Sequence, residues 1–294
     1  MNVPTYDDLP PVDGMPRGCV WGVFDKDGKK DLFGTLNHLT TATIKAAAAE
    51  VQDGVSISLN WSLNALEHIP LPGRRKLAHT VQPLRDIGVS GGIGWDDELA
   101  FNTQSSSQWD SLVHWQHQAT GLAYNGFRPT PEEMSRTSTL ENTMPTLDHW
   151  QSRGGLVARG VLIDFKSYAE EKGIDFHPFD GYRISVEEIE QVAKHQSVEF
   201  RPGDVFLLRT GTTDAFVNPT PEDSNAFEAV PPLTAAVLHE YFLNLFGMPI
   251  GELWDLAKLA AYCREKGRYS FMLTSSPLNV PCLVGSPPNA LAIL

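Results

Sequence analysis

Side chains that can move protons lie close together between Gln104 and His114. Asp110 and His114 are four positions apart, so on one helical turn the carboxylate would face the imidazole. A carboxylate at that distance holds the imidazole in one tautomer and raises its basicity, which suits acid–base catalysis. Gln104 and Gln108 precede this pair, and their amides can hydrogen-bond a substrate carbonyl. The structural alternative is that Asp110 only caps a helix that includes His114.

The residues around this segment suit a pocket for a small molecule. Ser106 and Ser107 offer hydroxyl and backbone N–H groups that can receive an oxyanion. Trp109, Trp115 and Trp21 would supply flat apolar walls, which fit an aromatic or ring-containing substrate. Ordinary core packing is the alternative for each tryptophan, because large aromatic side chains dominate protein cores.

Composition argues against several classes of partner. The chain has 294 residues and a net charge of −13, which disfavours a nucleic-acid-binding face and an anionic membrane surface. No run approaches the ~18 apolar residues of a membrane-spanning helix. The first residues lack the basic and apolar regions of a signal peptide. Three scattered cysteines fit a reducing compartment. We therefore expect a cytoplasmic protein that binds a small molecule, and neither nucleic acid nor membrane.

The elements that position these residues follow from hydrophobic periodicity and turn residues. Ser185 and Glu188 form a capping box before an apolar stripe, which predicts a helix over 185–193. Further helices are predicted over 40–51, 233–245 and 253–266, and strands over 55–59, 154–164, 205–211, 270–274 and the end of 285–294. The predicted strands within 154–164 and 205–211 are buried.

The same patterns predict the domain organisation. Residues 1–20 are rich in Pro, Asp and Gly and predict an irregular N-terminal arm, which leaves 21–294 as one catalytic domain. Residues 66–95 show little periodicity and predict a functional loop. The strands and helices follow no regular βαβ rhythm, which favours a single mixed α/β domain.

Short motifs along nearly the whole chain resemble one family. They are Trp-Gly at 21–22, Gly-Thr-Leu-Asn-His-Leu-Thr at 34–40, the segment 104–114, Arg-Gly-Val-Leu-Ile-Asp at 159–164, Pro-Gly-Asp-Val at 202–205, Ser-Pro-Leu-Asn-Val-Pro at 276–281 and Ser-Pro at 286–287. This set resembles the cyclase family, which includes bacterial kynurenine formamidases and isatin hydrolases. It is most similar to a fungal-type branch with Gln-Ser-Ser-Ser-Gln-Trp-Asp in the family signature. The resemblance implies a barrel-like, mostly antiparallel sheet with flanking helices, and a homodimer or larger homo-oligomer.

The family signature, His-x-Gly-Thr-His-x-Asp-x-x-x-His, is altered in this chain. In metal-dependent members its first two histidines and the aspartate hold one metal, and these positions fall on Gln104, Gln108 and Asp110. A glutamine offers only a neutral carbonyl oxygen, which is a weak ligand for zinc or manganese. We therefore expect the first metal site to be lost and no cofactor to be required.

The resemblance also implies a second group of catalytic residues. The final signature histidine falls on His114, and a later histidine and glutamate fall on His239 and Glu252, with Glu240 competing with His239. In the family these groups hold a second metal or do acid–base work. Any divalent cation (Zn, Mn or Mg) would be held by Asp110, His114, His239 and Glu252.

These observations lead to one expected function and two alternatives. We expect a cyclase-family enzyme that hydrolyses a cyclic amide or ester of a small ring-containing carbonyl compound. His114, oriented by Asp110, would activate water, Glu252 and His239 would handle the second proton, and the two glutamines would hold the carbonyl. The first alternative is a metal-independent lyase or cyclase of secondary metabolism that dehydrates, isomerises or closes a ring. The second is a binding relative without catalysis.

Overall fold

The computed structural model describes residues 4–68, 74–89, 91–217, 219–221, 223 and 236–294. Its strands are β1 (Ser56–Ser58), β2 (Ala78–Pro83), β3 (Trp95–Ala100), β4 (Gln108–Asp110), β5 (Leu156–Asp164), β6 (Val205–Arg209), β7 (Ile250–Glu252), β8 (Ser270–Ser275), β9 (Gly285–Ser286) and β10 (Ala290–Ile293). They form a five-stranded sheet in the order β1-β10-β8-β5-β6, a ribbon of β2 and β3, and a three-stranded sheet in the order β7-β4-β9. These ten strands therefore belong to three separate sheets.

The five-stranded sheet is mostly antiparallel, as expected, but it is open. Only β5 and β6 run parallel, and the end strands β1 and β6 do not pair with each other. The expected barrel-like closure is therefore wrong. The expectation of a buried strand is confirmed for β5 but is wrong for β6, whose Phe206 is exposed. An edge strand has no neighbour on one side, so its side chains are only partly covered.

The α-helices with described bounds are α1 (Thr41–Ala48), α2 (Phe165–Lys172), α3 (Val186–His195), α4 (Thr212–Val217), α5 (Ala236–His239) and α6 (Ala257–Lys266). The predicted capping box of α3 is present, because Ser185 and Glu188 each accept a hydrogen bond from the other's backbone N–H. The helix predicted from 253 begins only at Ala257, since Leu253 has a φ of 55°. Helix α5 passes directly into a π-helical turn, and residues 233–235 of that predicted helix lie outside the described residues.

The core occupies both faces of the five-stranded sheet. On one face, Ala158 and Leu162 of β5 pack in a cluster that includes Leu259 of α6. On the other face, Val161 and Ile163 pack in a cluster formed with α2 and α3. Since side chains alternate along a strand, a continuous apolar run such as 161–163 of β5 requires cover on both sides.

The segment 66–95 is more ordered than the sequence predicts. Apart from residues 69–73 and 90, which lie outside the described residues, it contains β2 and a short 3-10 turn, and it ends where β3 begins. Strand β2 pairs antiparallel with β3, from Ala78 opposite Ala100 to Pro83 opposite Trp95. Apolar and polar residues alternate only weakly along β2 and β3, because most side chains of this ribbon are exposed. Hydrophobic periodicity therefore does not reveal the ribbon.

Two expectations concern the molecule as a whole. None of the described helices is long and apolar enough to cross a membrane. The division into an arm over 1–20 and a domain over 21–294 stays a prediction, and residues 1–3 of that arm lie outside the described residues.

Candidate active site

The three-stranded sheet brings distant residues of the chain to one place. Strand β4 is its middle strand, with Gln108 opposite Glu252 of β7 and Asp110 opposite Gly285 of β9. Gly285 also faces Gln104, whose side chain would collide with any Cβ at that position. The register of three short strands therefore positions the amides and carboxylates of the site.

The four predicted catalytic side chains lie together at the end of β4. Asp110 is fully buried, and its Oδ2 atom is 3.6 Å from Nε2 of His239 and 4.0 Å from Nε2 of His114. The same His239 nitrogen lies 3.7 Å from Oε1 of Glu252. We refer to Asp110, His114, His239 and Glu252 as the acid–base cluster.

The local structure around Asp110 differs from both sequence interpretations. Asp110 is the last residue of a strand, and His114 lies in the turn that follows, where its N–H donates to Ser111 O at 3.0 Å. Asp110 and His114 are therefore not neighbours on one helical turn, and Asp110 does not cap a helix that contains His114. Pairing of β4 on both sides overrides the local preference for a helix.

Both signature glutamines direct their amide nitrogen at a carboxylate. Gln104 Nε2 donates to Asp110 Oδ1 and lies 3.3 Å from Nδ1 of His114. Gln108 Nε2 donates to Glu252 Oε2 at 2.9 Å. These two amides are hydrogen-bond donors that fix the orientation of the cluster carboxylates.

Arg74 also belongs to the site, although it was not among the residues predicted from the sequence. Its Nη1 donates to the backbone oxygen of Gln104 at 2.5 Å and to Oε1 of Gln108 at 3.3 Å. The residue lies in the segment that we interpreted only as a loop. Three consecutive basic residues, Arg74-Arg75-Lys76, are a conspicuous signal in an acidic chain and could have pointed to it.

The two predicted serines use their hydroxyl donors within the fold. Ser106 Oγ donates to Ser62 O at 2.7 Å, and Ser107 Oγ donates to Leu253 O at 2.6 Å. Ser107 Oγ also accepts from the N–H of Trp61 at 2.7 Å. Both hydroxyl groups therefore tie neighbouring loops to the site and do not point a free O–H at a substrate.

The three predicted tryptophans have different environments. Trp109 lies in the core, where its ring centroid is 5.0 Å from that of Trp254 and its indole N–H donates to a serine hydroxyl. Trp21 donates its indole N–H to the backbone oxygen of Asn244 at 2.8 Å. Only Trp115 contacts the acid–base cluster, with its ring centroid 6.0 Å from that of His239.

A cavity of about 320 Å³ lies beside His114. Its wall is formed by Trp115, Gln116, His117, Gln118 and Gly121 together with His114. Glu240 lies at this wall, because its Oε2 accepts from the backbone N–H of Gln118 at 2.9 Å. Of the two candidates for the later family position, His239 and not Glu240 is therefore in the acid–base cluster.

The charge state of the cluster follows from burial and hydrogen bonding. Burial lowers the pKa of His114, and the positive fields of His239 and Arg74 act in the same direction, against that of Asp110. For Glu252, burial raises the pKa, but hydrogen bonds from His239 and Gln108 outweigh it, so the pKa lies below its ordinary value. At neutral pH, His114 is therefore a neutral base and Glu252 is ionised.

Three members of the cluster also suit a divalent cation. One ligand atom each from Asp110, His114 and His239 lies within 4.8 Å of the others. Among the described residues, Asp110 Oδ2 has no hydrogen-bond partner, although it is buried. One carboxylate and two imidazoles form a donor set that zinc, manganese and iron accept. The residues therefore fit a metal ion, and the absence of a required cofactor stays a prediction.

Fold and site together define a mixed α/β protein with a partly buried cluster of carboxylates and imidazoles that suits acid–base chemistry or a metal ion. The chain belongs to the cyclase family, because the Cyclase family model matches residues 31–244. That range includes every residue of the cluster except Glu252. No curated protein matches the chain by sequence comparison.

Solved structures of similar proteins support the fold. The crystal structure of a novel cyclase is 27% identical and has a TM-score of 0.75, with 94% of this chain and 99% of that chain covered. Isatin hydrolase A from Labrenzia aggregata, bound to benzyl benzoate, is 14% identical with a TM-score of 0.52, covering 88% and 98% of the two chains. Isatin hydrolase A from Ralstonia solanacearum is 15% identical with a TM-score of 0.50, covering 86% and 96%. At these identities the isatin hydrolases show a shared fold.

Proposed function

We propose that this protein hydrolyses a cyclic amide or ester of a small ring-containing carbonyl compound. The observation that carries the proposal is the partly buried acid–base cluster beside a cavity of about 320 Å³, a size that admits a small ring compound. Membership of the cyclase family and the fold shared with isatin hydrolases support an enzyme of the hydrolase class.

The residues of the cluster can divide the proton transfers. His114, neutral and next to Asp110, takes a proton from water, whose oxygen bonds to the carbonyl carbon. The ring C–N or C–O bond then breaks, and the leaving atom takes a proton. His239 Nε2 lies between the carboxylates of Asp110 and Glu252 and is placed to deliver that proton. The products are a carboxylate and an amine or alcohol on one opened molecule.

A divalent cation would be held by Asp110, His114 and His239. Such an ion supplies a lower pKa for bound water and a polarised carbonyl. The amides of Gln104 and Gln108 keep the cluster carboxylates oriented in either case, because each donates to one of them. The proposal assigns catalysis to the acid–base residues, without a requirement for metal.

The experiment is product analysis by mass spectrometry on a panel of aromatic cyclic amides and lactones. A product heavier by one water supports hydrolysis, whereas loss of water or an unchanged mass identifies a lyase or an isomerase. His114→Ala is expected to lose turnover, while the matched control His79→Ala, an exposed histidine on the β2–β3 ribbon, keeps it. Full activity of His114→Ala contradicts the assignment. Ligand binding without turnover indicates a binding relative.

A chelation arm tests the role of metal. Activity that survives dialysis against EDTA supports the acid–base route. Activity that is lost and then restored by zinc or manganese makes the cluster a metal centre, and His239→Ala should then lower the metal content of the purified protein.

A further inference from the structure

Arg74 is a partly buried cation beside the acid–base cluster, yet it forms no ion pair with any described residue. Its Nη1 is used by Gln104 and Gln108, whereas its Nε and Nη2 have no hydrogen-bond partner within the described part of the chain. The guanidinium group carries five N–H donors, so most of its donor capacity stays available.

Two other arginines with little exposed side chain are balanced by carboxylates. Arg159 holds Glu50 and Asp204 at 2.9 and 2.7 Å. Arg209 holds Asp164 and Asp214, at 2.8 and 2.5 Å. A partly desolvated cation without a counter-charge is costly unless a ligand supplies one. The environment of Arg74 thus differs from both, because no carboxylate of the described residues lies within ion-pair distance of it.

We infer that Arg74 binds the carboxylate group that ring opening creates, so that the site takes substrates whose product is a planar carboxylate. This inference rests on the proposed hydrolysis. In that reaction the oxygen of water bonds to the carbonyl carbon, the ring C–N or C–O bond breaks, and the leaving atom takes a proton. The new carboxylic acid releases its proton to solvent, and its two oxygens match the planar fork of a guanidinium group.

The electrostatics of the site require such a cation. Asp110 and Glu252 place two carboxyl groups in the cluster, and the whole chain has a net charge of −13, so an anionic product would be repelled. Arg74 acts on this region, because its charge contributes to the lowered pKa of both His114 and Glu252. Negative charge on the attacked oxygen also develops before the ring opens, so Arg74 would stabilise that state as well.

Gln104 and Gln108 act as positioning residues for Arg74. Both residues are buried, and Arg74 Nη1 donates to the backbone oxygen of Gln104 and to the side-chain oxygen of Gln108. The amide nitrogen of each glutamine side chain donates to a cluster carboxylate. Through Gln108, the cation and Glu252 have a fixed separation. This arrangement orients the remaining N–H groups of Arg74 as one unit with the cluster.

The test measures binding and does not depend on turnover. The probes are benzoate, a planar monocarboxylate, and benzamide, its uncharged counterpart, titrated calorimetrically into the purified protein. Wild type is expected to prefer benzoate. Arg74→Gln should lose about 10-fold or more in affinity for benzoate, as expected for a charged hydrogen bond, with little change for benzamide. Arg75→Gln, which removes the adjacent exposed arginine, is the matched control and should bind benzoate like wild type.

The inference is overturned if the wild-type protein does not prefer benzoate to benzamide, or if Arg74→Gln keeps the wild-type affinity for benzoate. It is also overturned if Arg75→Gln loses as much affinity for benzoate as Arg74→Gln does. Should Arg74→Gln fail to fold, Arg74→Lys carries the test. A lysine keeps the positive charge but lacks the planar guanidinium group, so the affinity for benzoate should fall several-fold. Unchanged affinity for benzoate refutes the role of Arg74 in carboxylate binding. Absence of any ring-opened product in the mass spectra contradicts the proposed hydrolysis instead, so the two failures are distinguishable.

Discussion

Replacement of Asp110 by asparagine should remove activity without weakening the fold. Asp110 is fully buried, and its Oδ2 has no hydrogen-bond partner among the described residues. A buried polar atom left unsatisfied costs about 1–3 kcal/mol. An asparagine in the same position keeps the oxygen that accepts from Gln104 and turns an N–H toward the two imidazoles. The free energy of unfolding should therefore not fall, and it should rise by up to about 1 kcal/mol.

The assay compares thermal unfolding with initial rates, both at pH 8, where ordinary imidazoles are neutral. A gain of 1 kcal/mol corresponds to a rise in Tm of about 2–4 °C for a chain of this size. Turnover should fall by about 100-fold or more, because the group that orients His114 is neutral in the variant.

A second buried aspartate provides the matched control. Asp148 is also fully buried, but it accepts hydrogen bonds from Asn142 at 3.1 Å and from Thr146 at 2.6 Å. Asp148→Asn should therefore lower the Tm, since it disrupts satisfied hydrogen bonds. If Asp110→Asn lowers the Tm as much as Asp148→Asn, Asp110 stabilises the fold and the reasoning is refuted. Full turnover in Asp110→Asn would refute its catalytic role.

Three further predictions concern stability. Burial raises the pKa of Asp148, but hydrogen bonds outweigh it and hold the pKa below its ordinary value. The stability that the Asp148 carboxylate contributes is therefore complete above the ordinary pKa of an aspartate. It is lost as the pH falls through the lower pKa of the folded state. The Tm difference between wild type and Asp148→Asn should shrink in acid; a constant difference argues against the linkage. Trp109→Phe should lower the free energy of unfolding, measured by chemical denaturation, by about 1–2 kcal/mol, because packing and one hydrogen bond are lost, and KM should not change. A higher KM at wild-type stability would indicate that Trp109 contacts the substrate. Gly34→Ala should destabilise more than Gly54→Ala, because both have positive φ but only at Gly34 would a Cβ meet the Gly247 backbone; equal losses contradict this reason.

Local signals predicted the elements that depend on neighbouring residues. The capping box at Ser185 and Glu188 is confirmed because its hydrogen bonds join residues three positions apart. The buried strand at β5 is confirmed because its apolar run over 161–163 contacts core clusters on both faces of the sheet. The β2–β3 ribbon was missed because its exposed strands have no apolar face pattern to detect.

The candidate site was predicted in its residues and not in its contacts. The structure brings Asp110, His114, His239 and Glu252 together, as the family resemblance implied, although their catalytic roles stay predictions. Arg74 was missed because the basic run over 74–76 shows a concentration of charge, but it does not show which of its members enters a site and which are solvated.

By itself, the sequence determined which chemical groups are present: one carboxylate and one imidazole near glutamines that cannot replace histidines as strong ligands. Only the tertiary structure decided what these glutamines do. Strand pairing sets Gln108 opposite Glu252, a contact across 144 positions of the chain, and the amide nitrogen of Gln108 consequently meets a carboxylate. An amide can donate or accept, and which it does depends on the atom within reach. That choice is made by the register of distant strands, to which the local sequence does not respond.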